Sequence, residues 1–144
     1  MVRLALAALA MTTTLSGCAA INDVIVPGAP PQTAQMTTLE GMVRYRERIA
    51  LPPDARVTVT IEDVSRADAP AITVATTNFL ASGQQVPLRF QLSHDAAQLT
   101  EGNRYGVSAR IVDGAGRLMW ITDTFNALPV YGRTIDLNLV RTRS

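Results

Sequence analysis

From Leu39 onward, apolar side chains recur at every second position in short runs separated by turn residues. A period of two is the signature of a strand with one buried face, so the pattern predicts an all-β domain. The first run, "LEGMVRYRER" (Leu39–Arg48), sets Leu39, Gly41, Val43 and Tyr45 on one face. "LPPD" follows as a turn, because proline presets one dihedral and removes a ladder donor. "RVTVTIED" is the cleanest run, with Val57, Val59 and Ile61 inward and Arg56, Thr58, Thr60 and Glu62 outward. After the loop "SRADAP" come "AITVATTNFL" (Ala71–Leu80), the turn "SGQQ", and "VPLRFQL", where Val86, Leu88, Phe90 and Leu92 alternate. Pro87 places that strand at a sheet edge or at a free donor position. "HDAAQLTEGN" predicts one helical turn capped by Asp95, with Gln98 in the place of a capping-box partner.

"RYGVSARIV" alternates through Tyr105, Val107, Ala109 and Ile111, "DGAG" is a hairpin turn, and "TIDLNLV" closes the chain with Ile135, Leu137 and Leu139 inward. Between them "RLMWITDTF" resists assignment. Leu118 and Trp120 face away from Met119, Ile121 and Phe125, so either both sides are covered or one set is exposed. Seven strands, five of them with one apolar face, and no long helix predict an antiparallel β-sandwich, with a small, partly open barrel as the alternative. A domain of this size buries roughly two thirds of its unfolded surface and stands without staples.

The chain before this domain has a different character. Arg3 is followed by twelve apolar or threonine residues, Leu4–Leu15, and then by Ser16, Gly17 and Cys18. A membrane-spanning helix needs roughly 20 apolar residues, so this run predicts a cleaved export signal, residues 1–17. Cys18 is the only cysteine. "LSGC" resembles the bacterial lipobox, in which the chain is cleaved between Gly17 and Cys18 and the sulfur carries diacylglycerol. The new amino terminus takes a further acyl chain. More than one chain makes attachment stable, and Ala19 after the cysteine, in place of Asp, predicts the outer membrane. Residues 18–37, rich in proline and small polar residues, read as a lipidated tether that reaches on the order of 60 Å if extended. The domain is expected over residues 38–144.

Composition narrows the function. Loss of the signal removes Arg3 and leaves twelve Arg against twelve acidic residues, with no Lys. A balanced charge predicts neither nucleic acid nor an anionic surface as partner. "SHD" (Ser93–Asp95) has the residue types of a hydrolase triad, but adjacent side chains on a strand point apart, and a triad must converge. His94 is the sole histidine, so no metal site with a second histidine exists. The chain predicts no enzyme, no cofactor beyond the acyl lipid on Cys18, and no small-molecule substrate. Two features remain as partner-binding candidates. Arg44, Arg46 and Arg48 share one face of the first strand, as a basic groove or as charge guarding an edge. Trp120 with Leu118 forms either an exposed apolar patch or part of the core.

Three stretches, "VRYRERIALPPDARVTVTIEDVSRADAPA", "GQQVPLRFQL" and "RYGVSARIVDGAGRLMWITDT", together resemble the YscW/YbaY family of small lipoproteins. The resemblance runs from Gly41 to about Asp123 and fades to a generic strand. It implies a β-sandwich lipoprotein facing the periplasm. It also implies a chaperone or binding module for an envelope protein: the member that names the family is a pilotin, which binds the tail of a type III secretion secretin and escorts it to the outer membrane. Similar proteins outside any secretion system make a general structural or stress-related lipoprotein the alternative. The family has no catalytic motif to carry over.

Overall fold

The structure, a computed structural model, describes residues 34–130 and 132–143. Seven strands form in chain order: β1 (Met36–Tyr45), β2 (Arg56–Asp63), β3 (Ile72–Leu80), β4 (Leu88–Asp95), β5 (Tyr105–Val112), β6 (Leu118–Ile121) and β7 (Ile135–Arg141). A 3-10 turn, Ala96–Gln98, lies between β4 and β5. Asp95 caps it by accepting the Ala97 N–H, and the same oxygen takes the Gln35 N–H, which ties the start of the domain to the end of β4. β1 therefore begins at Met36, two residues ahead of the boundary expected at 38.

The strands join in the order β3-β2-β5-β6-β7-β1-β4. Two curved halves, β3-β2-β5-β6 and β7-β1-β4, face each other across one core. They are joined on one side only by the short β6–β7 ladder, Trp120 opposite Arg141 and Ile121 opposite Val140. On the other side β3 and β4 end the sheet, each paired to a single neighbour. The sandwich and the partly open barrel are thus two descriptions of one nearly closed sheet. All pairs are antiparallel except β1–β7, which is parallel.

Alternation explains the core. Val57, Val59 and Ile61 of β2, Val107, Ala109 and Ile111 of β5, and Leu88, Phe90 and Leu92 of β4 all point inward and are buried. The ambiguous run resolves through a bulge. Ile111 pairs with Trp120 but Val112 pairs with Leu118, so Met119 is an extra residue. Trp120 turns into the core while Leu118 and Ile121 stay partly exposed. The Trp120 ring stacks on Tyr45 with centroids 4.4 Å apart and planes 12° from parallel, bridging the two halves where their ladder is shortest. Burial pushes the Tyr45 phenol above its ordinary value, and the carboxylate of Glu47 adds to the effect.

The "DGAG" turn is held by one side chain. Asp113 Oδ1 accepts the N–H groups of Ala115 and Arg117 at 3.0 and 2.9 Å, and Oδ2 takes the Arg117 guanidinium at 2.9 Å. Gly116 supplies the left-handed conformation at φ 81°. The Arg117 backbone N–H, followed by its side chain and the Ala115 N–H, holds the Asp113 carboxyl below its ordinary value of 3.8. A lowered folded pKa means the unfolded chain takes up the proton first, so the contribution is present above about pH 4 and lost as pH falls through the folded value. Wild type and Asp113→Asn should accordingly differ in chemical stability at pH 7 and converge as pH falls through the lowered folded value.

Candidate functional site

β3 and β4 lie against each other without a shared ladder, so each carries a row of backbone groups with no strand beside it. A cleft of ≈ 620 Å³ opens along this seam. β3 contributes Thr77, Phe79 and Leu80, β4 contributes Arg89, Phe90 and Gln91, and β1 contributes Glu40, Gly41 and Met42. Phe90 is buried at the floor, Phe79 is half-buried, and Leu80 is 49% exposed on the lip. Gly41 is what lets the floor form. A Cβ there would meet the Ile135 carbonyl oxygen and lie 2.7 Å from the Phe90 ring.

The polar rim is largely paired. Gln91 Nε2 donates to Glu40 Oε1 at 2.8 Å, and Arg44 binds Asp136 at 3.1 Å. Arg89 makes no hydrogen bond or ion pair among the described residues, which leaves one uncommitted cation on the rim. The loop below the seam is fixed by Gln85. Its amide accepts the Leu51 N–H at 2.7 Å and donates to the Leu51 carbonyl at 3.3 Å, so the "LPPD" and "GQQVP" stretches meet in space. The site is a cleft with an aromatic floor, polar and apolar walls, and an unpaired strand edge on each side. That geometry suits an extended peptide.

The residues singled out from the sequence fall elsewhere or at its margin. Of the two readings of Trp120, the structure takes the core one: it is 0% exposed, opposite inward-facing Ile111, so it forms no exposed patch with Leu118. The arginine stripe is corrected. β1 is an internal strand between β7 and β4, so its charges guard no edge, and it ends at Tyr45. The chain bends there as the Tyr45 hydroxyl donates to the Ile49 carbonyl at 2.6 Å. Arg46 and Arg48 therefore lie past the strand, and only Arg44 stays on its outer face, engaged with Asp136. Gly17 and Cys18 lie outside the described residues.

Nor does "SHD" converge. Ser93 points outward to within 3.4 Å of the Thr38 hydroxyl, His94 is buried, and Asp95 is occupied with backbone N–H groups. Among the described residues no group of three His, Cys, Asp or Glu side chains is placed to hold a metal. Sequence reasoning missed Phe79, Leu80 and Arg89, whose importance comes from a seam that only the topology creates. The two available signals were Pro87, just before an edge strand, and a glycine on the apolar face of β1.

Comparison with known proteins supplies the context. The chain is 35% identical over 143 residues to the uncharacterized lipoprotein YbaY of Escherichia coli strain K12, covering 92% of this chain and 75% of the relative. Among solved structures it is similar to an alternative pilotin from the type II secretion system of Vibrio cholerae. That match has a TM-score of 0.72 and 42% identity, and it spans 76% of this chain and all of the pilotin. The model of the type III secretion system lipoprotein chaperones, YscW, matches residues 34–139, from just before β1 to within β7. The chain belongs to the YscW family of lipoprotein chaperones.

Proposed function

We propose that the chain is an outer-membrane lipoprotein that acts as a pilotin-like chaperone. Cys18 carries the acyl anchor, the tether gives reach, and the barrel holds an extended segment of a secretin at the β3–β4 seam. The observation that carries this reading is the seam itself: two edge strands facing each other over an apolar floor, in a chain similar to a solved pilotin. β3 and β4 run in opposite directions, so an inserted strand lies antiparallel to one and parallel to the other, and gains backbone hydrogen bonds from either. Main-chain bonding supplies affinity with little sequence demand, and the Phe79, Leu80 and Phe90 side chains select apolar residues at alternate positions. No step of this work needs catalysis.

The experiment is co-isolation from detergent-solubilised envelopes, with tagged lipidated protein compared with Cys18→Ala. A secretin enriched with the wild type and lost with the unlipidated variant is the expected result. Leu80→Asp probes the seam directly. Leu80 is half exposed, so the substitution should leave stability within about 0.5 kcal/mol of wild type. A charge in place of the apolar lip beside Phe79 and Phe90 should weaken capture at least about tenfold, read by titration with the secretin tail. The similarity to YbaY, across most of both chains, favours a second reading: a general envelope lipoprotein with a partner other than a secretin. Recovery of a different envelope protein by the same seam would select it.

A further inference from the structure

The charged side chains lining the seam are Glu40, Arg89 and Asp136. Glu40 accepts from Gln91 at 2.8 Å and Asp136 holds Arg44 at 3.1 Å, so neither carboxylate is spent on Arg89. The residue opposite Arg89 on β1 is Met42, which has no charge to offer. Across the seam, β3 contains no ionisable residue from Ile72 to Leu80. Elsewhere on β4, His94 is buried and Asp95 is occupied by the N–H groups of Gln35 and Ala97. Among the described residues, exposed Arg89 is thus the free charge of the two facing edges.

We infer that Arg89 pairs with an acidic side chain of the captured strand and so sets its register, the partner reading apolar, acidic, apolar at that point. The assignment rests on the seam as the capture site. Main-chain bonding alone leaves the register open, because a slide of two residues keeps every side chain on its own face. Residues level with each other on adjacent strands share a face, with Cβ atoms about 5 Å apart. Arg89 stands on the outer face of β4, between Leu88 and Phe90, which point inward. The partner residue beside it therefore also stands outward, and the residues before and after it point onto the Phe79 and Phe90 floor. An outward aspartate or glutamate meets the guanidinium fork while its two apolar neighbours cover the aromatic rings. A chain terminus fits less well. Its carboxylate lies in the plane of the sheet, whereas the Arg89 side chain rises out of it.

The test titrates the ¹⁵N-labelled full chain with capped peptides of alternating valine and serine, in which one central serine is replaced by aspartate, asparagine or lysine. The amide signals of β3 and β4 report where each peptide binds. The expected result is shifts along both edges, with the aspartate peptide binding at least about threefold tighter than the asparagine one. That gap should close at high salt. Arg89→Gln should bind the two alike, and Arg89→Glu should prefer the lysine peptide, an exchange that a merely structural arginine would not produce. Arg89 is exposed, so both variants keep the fold. Equal affinity for the aspartate and asparagine peptides, with shifts still at the seam, would overturn the role of Arg89 and leave the seam standing. Shifts away from β3 and β4, or none with any peptide, would overturn the seam and this assignment together. An asparagine peptide with a free carboxyl terminus that regains the full preference, and loses it in Arg89→Gln, would overturn the side-chain assignment in favour of a chain end.

Discussion

Trp120→Ala should cost about 3–5 kcal/mol, the range for removing a buried aromatic from a core. The ring is wholly buried and stacked on Tyr45, and it sits beside the two-pair β6–β7 ladder that alone joins the halves on that side. Its loss removes both apolar area and the stack, worth about 0.5–1.5 kcal/mol beyond area. Against a total stability of about 5–15 kcal/mol, much of the population unfolds on warming. Trp120→Phe makes the contrasting prediction. Nε1 has no partner among the described residues, so phenylalanine gives up volume but also removes an unsatisfied donor. Urea denaturation should place Trp120→Phe within about 1.5 kcal/mol of wild type and far above the alanine variant.

Gly41→Val is the second large effect and acts by overpacking. The new side chain meets a backbone carbonyl of β7 and the Phe90 ring together. The ring can swing, but the Ile135 carbonyl belongs to the β1–β7 ladder, which starts at the Gly41–Ile135 pair. The cost should be about 3 kcal/mol, at the upper end for inserted core atoms. Displacing Phe90 also fills the seam, so partner capture should fall by more than the folded fraction does. Phe90→Leu in the same chain relieves one of the two clashes. The double-mutant cycle should show a favourable coupling that recovers part of the lost stability, because the carbonyl contact remains.

Local alternation made much of this fold legible. β2 runs over the same eight residues, Arg56–Asp63, that its period of two marks out, and β5 and the Asp113 turn follow equally plainly from their patterns. What escaped is non-local. Nothing within "LEGMVRYRER" records that β7 returns parallel beside it and makes β1 internal, so its arginines read as edge charges. Likewise Trp120 and Met119 compete for the inward position in sequence, and the bulge at Met119 in β6 decides between them. The seam was half visible. Pro87 marked β4 as an edge, but that β3 is the other edge, and faces it, is a property of the strand order.

The central claim, that the β3–β4 seam captures the partner as an added strand, is tested most directly by amide hydrogen exchange on the lipidated chain with and without the secretin tail. The account predicts new protection at β3 and β4, centred on Thr77–Leu80 and Arg89–Gln91, with the β2 and β5 amides unchanged because they are already paired. Saturating tail that leaves both edges exchanging as before, or protects only surfaces away from them, would contradict it.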